Sequence, residues 1–206
     1  MGVSRIFLLS PAHFGGVRAQ LVLAEDARFD LARRLRSREG APLGEVMSFM
    51  SALYFRGKLA YARAFARPPR RAEGTLVITA GAGLRPANEP VTLDLVRHIA
   101  NVEVDTANPA YREPLEASAR SLAARIGGGC EVVLLGSIAS NKYTDVLSRA
   151  FGARLLFPAD FVGRGDMSRG GLLLRCVAEE RELPYVPVEG AVRHGPRPPR
   201  LARVAR

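Results

Sequence analysis

"EVVLLGSIASNKYTDVLSRAFGARLLFP", Glu131 to Pro158, sets two short apolar runs on either side of a segment whose apolar residues follow a different period. "EVVLLG" (Glu131 to Gly136) is apolar at successive positions after its first residue, the pattern of a strand covered on both faces. Tyr143, Val146 and Leu147 then recur at helical spacing, and Gly152 is placed to stop that helix. "RLLFP" (Arg154 to Pro158) returns to the strand pattern. A strand, a helix and a second strand in this order form a crossover unit with parallel strands.

The same reading extends in both directions. "RIFLLS" (Arg5 to Ser10), "TLVIT" (Thr75 to Thr79) and "YVPV" (Tyr185 to Val188) read as further strands. Leu43, Val46, Met47, Met50, Leu53, Tyr54, Tyr61 and Phe65 keep three-and-four spacing through one long helical stretch, with the methionines as core filler and Gly57 as a break or a close-packing point. Leu115, Leu122 and Ile126 line another helix that ends at the "GGG" of Gly127 to Gly129. Thr92 with Asp94, and Asp166 or Ser168, read as helix N-terminal caps. The expected fold is α/β, three-layered and Rossmann-like, with a mostly parallel five-stranded sheet and helices on both faces. Residues 1–190 make one domain. Residues 191–206 form a basic Pro/Arg-rich tail, expected to be mobile because it offers too little apolar surface to fold alone.

Composition narrows the function. A chain of 206 residues that is 48% hydrophobic can bury a sizeable core. No apolar run approaches the roughly 18 residues that span a bilayer, and the apolar block of "MGVSRIFLLSPAHFGG" is too short for a signal peptide, so the expected location is cytoplasmic with no membrane partner. Cys130 and Cys176 do not make a disulfide framework, and the scattered His13, His98 and His194 give no zinc spacing, so no metal site is expected. A net charge of +10, concentrated in "RPPRR" (Arg67 to Arg71) and in the tail, suits a polyanionic partner and equally a solvated surface.

Ligands of open parallel sheets sit outside the carboxyl ends of the strands. The four segments expected there are "SPAHFGG", "TAGAGLRP", "GSIASNKY" and "PADFVGRGDMSRGG", each with glycines or small residues that permit close backbone approach. The candidate ligand-binding residues are therefore Ser10, Gly15, Gly16, Thr79, Gly81, Gly83, Gly136, Ser137, Ser140, Arg164 and Arg169. The candidate catalytic residues are His13, Asp166 and Lys142: a histidine suited to act as base or acid, a carboxylate that also reads as a cap, and a lysine that could meet an anion or simply solvent. Arg164 and Arg169 flank Asp166 and could fork onto a phosphate or carboxylate. Tyr54, Arg56 and Lys58 of "YFRGK" add a basic-aromatic patch if they face the same crevice.

Known phosphate motifs do not match cleanly. "GSIASNKYT" matches a phosphate loop at Gly136 and Lys142 but has Asn141 for the second glycine and Tyr143 for the hydroxyl. There is no Gly-x-Ser-x-Gly elbow and no Gly-x-Gly-x-x-Gly after the first strand, and no motif names a cofactor.

"IFLLSPAH", "YFRGKLAYARAF" and "LVITAGAGLRPANEP" together resemble, over about the first 90 residues, the order of motifs in the peroxide-stress YaaA family and its small α/β relatives. Matched by motif are Ser10, Pro11, Gly57, Gly83, Leu84 and Pro86; His13 stands where that family has lysine, and Ala82 where it has tyrosine. The resemblance implies an association with DNA and oxidative stress. The expected function is binding of a nucleotide, nucleoside or nucleobase-like anionic ligand at the strand ends, with a nucleic-acid-related enzyme as its catalytic form. The alternative is a non-catalytic nucleic-acid-binding protein that uses the arginine-rich surface and tail.

Overall fold

A computed structural model describes residues 2–199 and 201 of the chain. The central sheet begins with β1 (Arg5–Leu9), whose last four residues are fully buried. Burial at successive positions means that both faces of the strand are covered, and each such side chain stabilises the fold by roughly 1.5–3 kcal/mol. The short helices α1 (Val17–Leu23) and α2 (Asp30–Arg36) follow, then a two-residue strand β2 (Ala41–Pro42) and the long helix α3 (Leu43–Phe65). β3 (Thr75–Thr79) turns directly into β4 (Gly83–Pro86), after which β5 (Pro90–Val91) pairs with β2. Two helices, α4 (Leu93–Asn101) and α5 (Pro109–Ile126), lead to β6 (Glu131–Leu135), α6 (Asn141–Phe151), β7 (Leu155–Pro158), α7 (Asp166–Ala178) and β8 (Tyr185–Pro187).

The strand order is β4-β3-β1-β6-β7-β8. The inner pairs are parallel, whereas β4 pairs with β3 and β8 with β7 in antiparallel register. The fold is thus α/β with a mostly parallel sheet, but of six strands rather than the expected five. The additional strand is "GLRP", hidden from the sequence reading because glycine and proline mark turns and only its first two residues are buried. As an edge strand it tolerates that proline. Among the described residues no helix is long and apolar enough to cross a membrane.

Helices pack as two pairs, α3 against α7 and α5 against α6. Gly57 does not break α3, which runs unbroken past it; a Cβ there would lie 2.7 Å from the carbonyl oxygen of Gly170 on α7. Gly170 answers it, since its own Cβ would meet Tyr54 Cα at 2.8 Å. Two glycines therefore let these helices touch backbone to backbone. At the amino ends of the strands, Arg5 bonds Glu131 at 2.8 Å and pairs with Glu182, which also holds Arg67 at 2.7 Å. That cluster, with the Arg5 guanidinium 4.7 Å from the Tyr185 ring centre, ties β1, β6 and the approach to β8.

The cap of α7 is Gly165, not Asp166 or Ser168, and no side chain bonds its first amides. Asp166 occupies the first turn instead, where a carboxylate favours the helix dipole. In the expected mobile tail, residues 191–199 carry no regular secondary structure, and Arg200 and residues 202–206 lie outside the described residues. Arg193 bonds the side chain of Asn141, and the Gly195–Pro196 carbonyls lie so close to Gly163 that a Cβ there would sit 2.1 Å from Pro196 O.

Candidate functional site at the carboxyl ends of the strands

From β1 the chain crosses to β3 on one side, and later to β6 on the other. The carboxyl ends of β1 and β6 thus flank the point where the direction of winding reverses, the place where open α/β sheets form a crevice. Ser10 follows β1 there, and Gly136 follows β6; a Cβ on Gly136 would lie 2.9 Å from Ser10 Cβ. Two spaces open here, one lined by the loop that leaves β1 and one by the loop that leaves β6.

The larger is a cavity of about 300 Å³ lined by Pro11 to Gly15, Ala80, residues 99 to 104 except Asn101, and Lys142. Ile99, Ala100, Val102 and Val104 give it apolar walls, while His13, Glu103 and Lys142 arrive from three separate segments. The main chain at Lys142 is fixed by Tyr111, whose hydroxyl donates to its carbonyl at 2.7 Å. No hydrogen bond or ion pair among the described residues engages the Lys142 ammonium. Gly15 makes room for His13, because a Cβ on it would approach His13 Nε2 to 2.6 Å.

The smaller space is a gap of about 10 Å³ between Gly136, Ser137, Phe161, Arg169 and the tail residue Arg193. The Arg169 fork is occupied: Nε and one terminal nitrogen donate to Phe161 O at 3.2 and 3.1 Å, and the other reaches Asp166 at 3.5 Å. Ser137 Oγ accepts from the Ala139 amide at 3.3 Å.

Lys58, on α3, lines neither space and is only 1% exposed. Its ammonium donates to Ser10 O at 2.5 Å and Ser10 Oγ at 2.9 Å, and sits 4.4 and 4.8 Å from the ring centres of Tyr54 and Phe55. No carboxylate forms an ion pair with it among the described residues. Burial pushes Lys58 down to about 7; the Asp166 carboxylate opposes that shift and Arg169 adds to it. Tyr54 is buried beside it, and burial drives its phenol upward. The Tyr54 hydroxyl makes no well-formed hydrogen bond among the described residues, and the neighbouring Arg169 guanidinium works against the upward shift. Such an orphan costs about 1–3 kcal/mol; Arg85 Nε and Thr144 Oγ1 are buried and unpaired as well.

No family model, curated protein or solved structure matches the chain. The site is therefore read from its own residues.

Of the residues singled out in the sequence, His13, Gly15 and Lys142 share the large cavity, and Gly136, Ser137 and Arg169 share the gap; Ser10 lines neither and packs against Gly136. The others lie apart. Thr79, Gly81 and Gly83 build the β3–β4 turn: both glycines have φ near +70° (76° and 69°), and Thr79 Oγ1 donates to Gly83 O at 2.7 Å. The second of the expected strand-end loops is thus a hairpin rather than a turn into a helix. Gly16 and Ser140 cap α1 and α6 without side-chain bonds, and Asp166 is exposed on α7. Arg164 donates to Asp160 O at 3.0 Å and Ser168 Oγ at 3.3 Å, along its own loop. Of "YFRGK", Arg56 faces outward while Tyr54 and Lys58 face inward, so they form no common patch. Cys130 and Cys176 are free and buried, and no group of three His, Cys, Asp or Glu among the described residues could hold a metal ion.

The sequence reading missed Lys58 as a site residue. It shares the helical face of Tyr54, Tyr61 and Phe65, and that spacing alone places a lysine in the core.

Proposed function

We propose that the cavity over the end of β1 binds a small anionic ligand of nucleotide, nucleoside or nucleobase type. The observation that carries this reading is the meeting of His13 and Lys142 on an otherwise largely apolar wall of suitable size. A planar base packs against Ile99, Val102 and Val104, Glu103 accepts from its N–H groups, and the unpaired Lys142 ammonium meets a phosphate or other anionic group. His13 then stands within the same cavity as a proton donor or acceptor for the bound ligand.

A thermal-shift panel tests it: nucleoside monophosphates and triphosphates, nucleosides, free bases and inorganic phosphate, each at millimolar concentration. A ligand that binds only the folded state raises Tm in proportion to RT ln(1 + [L]/Kd). The expected result is a rise for at least one phosphorylated nucleoside that Lys142→Ala removes. Equal rises in the native chain and in Lys142→Ala, or none across the panel, would contradict the reading.

A further inference from the structure

We propose that Ser10 and Lys58 form a nucleophile–base pair at the winding reversal of the sheet, with Ser10 Oγ as the attacking atom on a small ester or amide that carries an anionic group. This goes beyond ligand binding in the His13 cavity and does not depend on it.

Three features carry the assignment. Lys58 Nζ lies 2.9 Å from Ser10 Oγ, within reach for direct proton transfer. The lysine is buried without a carboxylate counter-ion; what faces it are the Ser10 carbonyl and hydroxyl from β1, the Tyr54 and Phe55 rings of its own helix, and the more distant charges of Asp166 and Arg169 on α7. Such surroundings favour the neutral amine, the form that accepts a proton. The Tyr54 ring packs on the Lys58 ammonium, and its buried hydroxyl lies beside the Arg169 guanidinium, which keeps the cluster dry around the amine. A serine–lysine pair has no need of a Gly-x-Ser-x-Gly elbow, so the absence of that motif is no obstacle.

Ser10 is 6% exposed and lines neither space; Gly136, which borders the gap, packs against Ser10, so a substrate reaches Oγ from that side only when the gap widens. Arg169 and Arg193 border the gap; the Arg169 guanidinium is held by Phe161 O and Asp166, so Arg193, once released from Asn141, is the group that meets an anionic substrate. At about 10 Å³ the gap holds no substrate while tail residues 193–196 rest against Asn141 and Gly163, so those residues act as its cover.

The chemistry balances within the pair. As Oγ bonds to the carbonyl carbon, its proton passes to Lys58 Nζ and the carbonyl π pair moves to oxygen. Collapse restores the carbonyl and breaks the bond to the leaving alkoxide or amine, which takes the proton from Lys58. Water attacks the acyl-serine in the same way, the carbon–Oγ bond breaks, and Oγ recovers its proton.

The test uses the full chain with p-nitrophenyl acetate and with phenylmethanesulfonyl fluoride at pH 5.5–9, read by intact mass and peptide mapping. The expected result is one adduct per chain, on Ser10, forming at a rate that rises with pH and levels near 7, where Lys58 loses its proton. Ser10→Ala abolishes it. Lys58→Met lowers the rate by about 100-fold or more, and Arg193→Ala, which loosens the cover, raises it. Should Lys58→Met fail to fold, Lys58→Arg, which keeps the charge and cannot release a proton, must show the same loss. No adduct at Ser10 in either the native chain or Arg193→Ala overturns the proposal, as does a rate that is indifferent to Lys58.

Discussion

Lys58, in the middle of α3, is bonded through its ammonium to both the carbonyl and the hydroxyl of Ser10, the residue that follows β1. A helix is thereby fastened to the carboxyl end of the central strand by a group that burial discharges near neutrality. The folded pKa of about 7 lies below the ordinary lysine value of 10.5, so between these limits the unfolded chain holds more protons than the folded one. The Lys58 contribution to stability therefore grows as pH rises from about 7, by an amount on the order of a few kcal/mol, and is flat below that point. Urea unfolding at pH 6.5, 8 and 9.5 should show stability rising in the native chain more steeply than in Lys58→Met. The buried Tyr54 phenol acts in the opposite direction only near pH 10 and above, outside this window.

Gly57 and Gly170 set the contact between α3 and α7. Gly57→Ala gains about 0.5–1 kcal/mol of helix propensity but drives a methyl to 2.7 Å from a backbone oxygen that no rotamer change can move. The clash wins: a net loss of about 2 kcal/mol and a fall in Tm of roughly 4–8 °C are expected by calorimetry. A rise in Tm would mean that the helices part freely.

At the other end of the strands, Arg5→Met keeps the buried stem of the side chain but leaves Glu131 and Glu182 without their shared partner. The Arg5 side chain is 12% exposed and the two carboxylates 31% and 22%, so solvent screens part of the loss. Destabilisation of about 1–3 kcal/mol is expected, partly restored when Glu182→Gln is added. Additive effects of the two substitutions in denaturant melts would show that the cluster is not coupled.

Gly15→Ala separates folding from binding. The atoms nearest its Cβ belong to the His13 ring, the far end of a movable side chain. Tm should change by less than a few degrees while the ring is turned from its place in the cavity. The nucleotide-induced thermal shift should then shrink; an unchanged shift would remove His13 from the ligand contact.

Much of this fold was legible in the sequence because its inner strands are apolar at every position and its helices keep a clear period. Val132 to Leu135 and Ile6 to Leu9 are buried in the order their pattern predicts. "GLRP" was not legible, since an edge strand with glycine and proline carries turn chemistry and is fixed by pairing with Ile78 and Thr79 rather than by its own pattern. The candidate site was half legible. Position after a strand brought out His13, Gly136 and Lys142, but the same rule also selected Thr79, Gly81 and Gly83, where a hairpin consumes the glycines and the hydroxyl. Lys58 groups in the sequence with Tyr54 and Arg56 as a patch that would face the crevice, although its helical spacing puts it on the core face; the contact with Ser10, far off in sequence, shows what it meets there.

The most direct test of the nucleotide-binding account is backbone and side-chain NMR of the full chain titrated with the nucleotide that gives the largest thermal shift. The expected result is saturable shift changes grouped on residues 12–15, 99–104 and 142, with weakened binding in Lys142→Ala. Changes confined to the arginine-rich surface and tail, with the His13 and Lys142 signals unmoved, would contradict it.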